Sequence, residues 1–304
     1  MGAGARLEVA DKVVLAGPAS AELGESVARQ LGAETLDAEF KVFPDGETKF
    51  TLKGKVSGRN VVVVQSTYAP VDQHLFQLLS AAHKVSQEGG KVIAVVPYMA
   101  YARQDKEFLQ GESVTLGMVA HLLRSVGVRR LATVDIHSAE GLSLFSFPAY
   151  SVSAVPSLVR YTREAIAPKD PVVISPDFGG SKRTEAFSQL YGAPLLQLSK
   201  SRDRVSGAVR MKEAKLDVKG KDAIVVDEVV STGGTIKAAA EMVLSQGARS
   251  VSAVCVHGLF VGRALKNLEE AGVKAVVCTN TVPGDNSKVD VSDALASHLK
   301  TLED

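Results

Sequence analysis

The chain has no tryptophan, two cysteines and 5% aromatic residues among 304. Cys255 and Cys278 each sit in an apolar run, VSAVCVHG and VKAVVCTN. Two such residues exclude a disulfide framework or a cysteine-built zinc site, and they suit a reducing compartment. Long apolar stretches are also missing. The longest, Val92 to Ala102, is broken by Pro97, whereas a membrane span needs about 20 apolar residues. The first residues, MGAGARLEVADK, lack the apolar core of a signal peptide and read as a short extension. The expected location is therefore the cytoplasm, away from membranes. A charge excess is lacking too: 35 Lys and Arg face 34 Asp and Glu, a net charge of +1. That balance argues against a nucleic-acid coat or a polybasic membrane binder.

What the chain does have is a rhythm. Short β-branched runs recur at Val13–Ala16, Val61–Gln65, Val92–Val96, Leu131–Val134, Val172–Ile174, Ala223–Val226, Val251–Val254 and Lys274–Cys278. Continuous apolar strands are buried on both faces, as in parallel sheets. Helical periodicity fills the gaps over Val71–Val85, Leu116–Val126 and Thr235–Leu244, with glycines after each. The alternation predicts an α/β fold. It breaks between Leu144 and Ser157, which suggests domains at 1–150 and 151–289 of similar rhythm, with 290–304 packing back on the first.

The chemistry concentrates at the ends of these strands. Ala223–Thr235 reads AIVVDEVVSTGGT: a strand, two carboxylates, a Ser/Thr/Gly turn, then a helix. Ser231, Thr232, Gly233, Gly234 and Thr235 can offer N–H groups and hydroxyls to a phosphate at a helix start. Asp227 and Glu228 can hold sugar hydroxyls or hydrated Mg²⁺. A capped turn beside a solvated acid pair would look the same in isolation. Phe43-Pro44-Asp45-Gly46-Glu47 is turn chemistry by itself. Pro97–Lys106, PYMAYARQDK, leaves a buried strand and places Arg103, which can grip phosphate, beside Gln104. His137, in VDIHS, is the histidine next to a carboxylate at a strand end. His74, His83, His121 and His298 fall on predicted helices and are expected to be partly exposed. Asp177, in ISPDFGGSKR, can reach a metal through water, and Gly179 and Gly180 permit close approach. Lys200-Ser-Arg-Asp-Arg204 reads as a solvated loop.

The Ala223–Thr235 segment resembles the phosphoribosyl diphosphate loop of type I phosphoribosyltransferases and of ribose-phosphate pyrophosphokinases. The ordered set PDGE, PYxxYxRQDK, DIHS, SPDxGG, KxRDR and VVDExxSTGGT resembles the second family over roughly residues 10 to 295, in an archaeal-like form. One departure is Asp227-Glu228, where most of that family has two aspartates. The resemblance implies two phosphoribosyltransferase-like domains, each a mainly parallel sheet flanked by helices. It implies transfer of the diphosphoryl group of ATP to the 1-hydroxyl of ribose 5-phosphate, with Mg²⁺ as cofactor. No GxxxxGK[ST] occurs, so ATP must be held by another device. Carried over, Phe43, Asp45, Gly46, Glu47, Arg103 and Gln104 are the ATP contacts. His137 and Asp177 are metal positions. Asp227, Glu228, Arg202 and Ser231–Thr235 form the ribose 5-phosphate site, and Lys200 and Arg202 are catalytic loop cations. The family's Phe43–Glu47 turn reaches a neighbouring subunit, which implies a homo-oligomer. A phosphoribosyltransferase would need an acceptor-base pocket and no ATP. A silent regulatory subunit would be expected to have lost the loop cations or metal residues, which are present here.

Overall fold

The computed structural model describes residues 12–176, 181–198, 200–202, 209–211 and 216–302. The chain divides into two compact units. One runs up to Ser153 and includes Thr281–Pro283 and the segment from Asp290; the other is Ala154–Asn280 with Gly284–Val289.

The first unit begins with strand β1 (Lys12–Ala16), helix α1 (Ala21–Leu31) and the short β2 (Glu34–Thr35). A hairpin, β3 (Ala38–Val42) and β4 (Thr48–Leu52), precedes β5 (Asn60–Val64) and α2 (Val71–Gln87). Then come β6 (Lys91–Val96), α3 (Thr115–Ser125), β7 (Val128–Val134) and β8 (Ala149–Val152). The sheet order is β2-β1-β5-β6-β7-β8, all parallel. Val61–Val64 and Val92–Val96 are fully or almost fully buried because helices cover both faces.

The second unit runs through α4 (Val155–Tyr161), β9 (Pro171–Ser175), α5 (Ser181–Tyr191) and β10 (Leu195–Gln197). A hairpin of β11 (Lys200–Arg202) and β12 (Val209–Met211) follows. The unit continues with β13 (Asp222–Val230), α6 (Gly234–Ser245), β14 (Ser250–Gly258), α7 (Ala264–Glu270), β15 (Val273–Thr279) and β16 (Ser287–Val289). Its order is β10-β9-β13-β14-β15-β16, again parallel throughout. The final helix, α8 (Ser292–Thr301), belongs to the first unit.

Numbering only the sheet strands within each unit gives 2-1-3-4-5-6 twice. In both, an antiparallel hairpin is inserted between the second and third strands. The order reverses between β1 and β5 in one unit and between β9 and β13 in the other. Such reversal points are where ligands settle, beyond the carboxyl ends of the strands.

Two expectations need correction. Lys200–Arg202 is a strand of the second hairpin rather than a loop; Asp203 and Arg204 lie outside the described residues. His74 is 7% exposed, because its Nδ1 lies 2.7 Å from the Tyr68 carbonyl and its ring packs edge-on to Tyr68. His83 and His121 are exposed and His298 is half-buried, as expected, with its Nε2 buried and without a hydrogen-bond partner.

Candidate active site

At the reversal point of the second unit, β13 does not stop at Val226. The neighbouring β14 is equally long, so pairing continues through Asp227↔Cys255, Val229↔His257 and Val230↔Gly258. The acid pair therefore lies inside the strand. Side chains alternate across a sheet. Asp227 shares parity with Ala223 and Val225, which pack with Cys255 against α6 and α7. Glu228 meets α5 on the other side, where Arg183 Nη1 lies 3.1 Å from its Oε2. The Glu228 N–H donates to Asp227 Oδ1 at 2.7 Å.

Beyond the strand, Ser231 and Thr232 make the turn and Gly233 opens α6 at φ 78°. That backbone is cheap for glycine and strained for other residues. The turn is braced from β14. The N–H groups of Leu259 and Phe260 donate to Val230 O at 2.9 and 3.1 Å, and Val261 N–H donates to Ser231 O at 2.9 Å. Phe260 holds φ 41° to do so. Below, Cys255 and Cys278 are register partners, both buried. The Cys278 thiol, burial and nearby Asp227 raise the Cys255 thiol well above the ordinary range.

The first unit presents three groups. Phe43–Glu47 is the hairpin turn, closed by Phe43 N–H to Glu47 O at 2.8 Å and Gly46 N–H to Phe43 O at 2.9 Å. Gly46 takes φ 93°, and Asp45, Gly46 and Glu47 are exposed. The Lys41 ammonium lies 4.8 Å from the centre of the Phe43 ring. Arg103 and Gln104 are exposed on the loop after β6. Tyr101, at φ 62°, donates its hydroxyl to Asp72 and accepts Gln104 N–H at 2.8 Å. The Asp72 hydrogen bond raises the Tyr101 pKa. Thr115 donates to the Gln104 side-chain oxygen. His137 is exposed after β7, following Asp135 at φ 40°. The β6 and β7 loops touch: a β-carbon on Gly141 would fall 3.6 Å from Asp105 Cβ. Arg103, Gln104 and His137 thus gather on adjacent strand ends, while the hairpin turn rides on α2 through β4.

The first unit's own reversal point is filled. Gln65 Oε1 accepts Ala19 N–H at 3.1 Å, and its Nε2 donates to Gln77 at 3.1 Å. A β-carbon on Gly17 would fall 2.1 Å from Gln65 Oε1.

Residues 12–127 match the family described as the N-terminal domain of ribose phosphate pyrophosphokinase. Residues 211–303 match the phosphoribosyl synthetase-associated domain. The ribose-phosphate pyrophosphokinase of Saccharolobus solfataricus is 37% identical over 292 residues, covering 94% of this chain and 100% of that protein. The chain belongs to the ribose-phosphate pyrophosphokinase family. The Aquifex aeolicus ribose-phosphate pyrophosphokinase is 34% identical, with 89% of this chain and 87% of the relative covered. The crystal structure of phosphoribosylpyrophosphate synthetase from Mycobacterium smegmatis superposes with a TM-score of 0.85 at 30% identity, covering 95% and 98% of the two chains.

Against that family, Asp177 lies outside the described residues, and Lys200 and Arg202 are described as strand backbone. Sequence reasoning gave no role to Arg183, Tyr101 or Asp72. Arg183 stood in a quoted segment, but its partner is 45 residues away, and nothing local announces the pair. Among the described residues, no three His, Cys, Asp or Glu side chains gather to cage a metal. Mg²⁺ keeps most of its waters and binds through one or two carboxylates and substrate phosphates, and the Asp227 carboxylate before the Ser231–Thr235 turn is a donor of that kind. No helix of the described residues is long and apolar enough to cross a membrane.

Proposed function

We propose that the protein makes 5-phosphoribosyl 1-diphosphate and AMP from ATP and ribose 5-phosphate. The observation that carries this is the Ser231–Thr235 turn. It stands at the reversal point of a sheet, next to Asp227, in a chain of this family. The 5-phosphate takes the N–H groups and hydroxyls of that turn at the start of α6. Asp227 accepts hydrogen bonds from the ribose hydroxyls.

Phe43, Asp45, Gly46 and Glu47 take the adenine end of ATP, and Arg103 and Gln104 its phosphates. The anomeric oxygen attacks the β-phosphorus in line. The new O–Pβ bond forms as the bond from Pβ to the α-phosphate oxygen breaks, AMP leaves, and the hydroxyl proton is lost. Catalysis is mainly positioning and charge stabilisation. Lys200 and Arg202 meet the charge on the transferring group. His137, Asp177 and Asp227 are the residues that would hold Mg²⁺ or its waters, and the ion neutralises phosphate charge when bound. The protein works in the cytoplasm as a homo-oligomer. The exposed hairpin turn supports the assembly, as do the exposed Phe76, Phe108, Leu109 and Met118.

The test is AMP formation from ATP and Mg²⁺ by purified protein, with and without ribose 5-phosphate. AMP that forms only with the sugar phosphate, matched by phosphoribosyl diphosphate, is expected. A folded, ATP-binding protein that makes none would instead be a silent relative.

A further inference from the structure

The Asp227-Glu228 pair is split by the pleat. Asp227 faces the α6 side together with its register partner Cys255. Glu228 faces the α5 side and meets Arg183, in an ion pair whose side chains are 13–14% exposed. The same helix is tied to the strand two residues earlier, where Thr184, itself 1% exposed, directs its hydroxyl at Val226 O from 3.5 Å. A charge so nearly buried is costly unless it is met by an opposite charge. Arg183 supplies that charge with a rigid guanidinium suited to carboxylates.

We infer that Arg183 is a positioning residue for the ribose 5-phosphate site. Through Glu228 it pins β13 from the α5 side, so that Asp227 is the member of the pair that faces the sugar. This rests on the ribose 5-phosphate reading of the Ser231–Thr235 turn. Glu228 is then a strut and no sugar ligand. Its extra methylene, where most of the family has aspartate, spans the distance to Arg183. The geometry also explains how two adjacent acids avoid repelling each other at one ligand: they serve opposite faces.

Ribose 5-phosphate binding by calorimetry, with KM values for both substrates, tests this on the full chain. The variants are Arg183→Met, Glu228→Gln and the two combined. The combined variant removes both charges and leaves none stranded. Each single change is expected to weaken ribose 5-phosphate at least ~10-fold and to leave the KM for ATP within ~2-fold. The combined variant is expected to be no worse than the worse single one, because both act through one contact. If Glu228 held the sugar itself, Arg183→Met would bind within ~2-fold of the parent, or the two losses would multiply; either result overturns the inference. Should the single variants fail to fold, the reversed pair, Arg183→Glu with Glu228→Arg, decides. Retained binding supports the strut, and complete loss from a folded protein refutes it. A parent protein that binds no ribose 5-phosphate would refute the ribose reading itself, whereas multiplied losses in a binding protein refute only the role of Arg183.

Discussion

Tyr101 adopts φ 62° and anchors its hydroxyl on Asp72. A non-glycine residue held there costs roughly 1–3 kcal/mol, and the surrounding contacts must sustain it. The contact sets the path of the chain two residues before Arg103. Tyr101→Phe should therefore raise the KM for ATP several-fold while the KM for ribose 5-phosphate and the melting temperature stay close to the parent values. Steady-state kinetics with each substrate varied would show it, and equal rises in both KM values would count against it. Asp227→Ala should behave oppositely, weakening ribose 5-phosphate more than ATP. Lys200→Ala is expected to fold normally and to lose turnover by about 10²-fold or more, as loss of a transition-state charge contact does. Unchanged kcat would strike Lys200 from the catalytic residues. Asp227 was legible as a candidate from residue type at the end of an apolar run, and Lys200 only through the family resemblance. The latch of Tyr101 and the ion pair of Arg183 were not, because each depends on a partner brought by an element distant in sequence.

Strand β13 draws stability from its opposite end. Asp222 accepts Arg249 Nε and Nη2 at 2.9 and 2.7 Å, Ser250 Oγ at 2.6 Å and Lys169 N–H at 2.7 Å. The Arg249 guanidinium above all holds this carboxyl well below the usual range. A folded value below the unfolded one, near 4, gives stability that is complete above about pH 5 and lost as pH falls further. Asp222→Asn should cost about 1–2 kcal/mol at pH 7, a figure kept modest because Arg249 is partly in solvent. It should also flatten the fall in melting temperature between pH 5 and 3. A fall as steep as the parent's would remove Asp222 as its source. Element boundaries were the part least readable from sequence. The apolar run suggested that β13 ends at Val226, yet pairing with β14 carries it to Val230. A strand's length is set by its neighbour as well as by its own residues, and the hairpin of β3 and β4, with no fully buried side chain, left almost no apolar signal.

For the molecule as a whole, strand–helix alternation was enough to read the parallel α/β class, since strands buried on both faces are nearly all apolar. The strand order was not readable, because crossovers leave no mark in composition. Helix α8 is needed by the first unit. Leu295, Ala296 and Leu299 are buried, and the buried Lys12 ammonium donates to Leu299 O at 2.7 Å. Deletion of residues 290–304 should remove the Leu299 carbonyl from that ammonium and expose the apolar side of α1, giving poorly soluble protein in a sedimentation assay. A soluble deletion variant with the parent melting temperature would show that α8 is dispensable.

The strand order 2-1-3-4-5-6, with a hairpin at the same place, is spelled twice. Such a repeat is what tandem duplication of one ancestral module leaves behind. On the proposed reading one phosphate cradle is enough, and the matching crossing in the other copy is free to take packing residues. Gln65 fills the crossing at which the sister copy places the Ser231–Thr235 turn. The hairpins differ as well. One shows Asp45, Gly46 and Glu47 at its tip and the other begins with Lys200 and Arg202. A two-substrate enzyme can arise in this way from a one-substrate binding unit: descent supplies two scaffolds, and loss of one pocket frees that half for a new ligand.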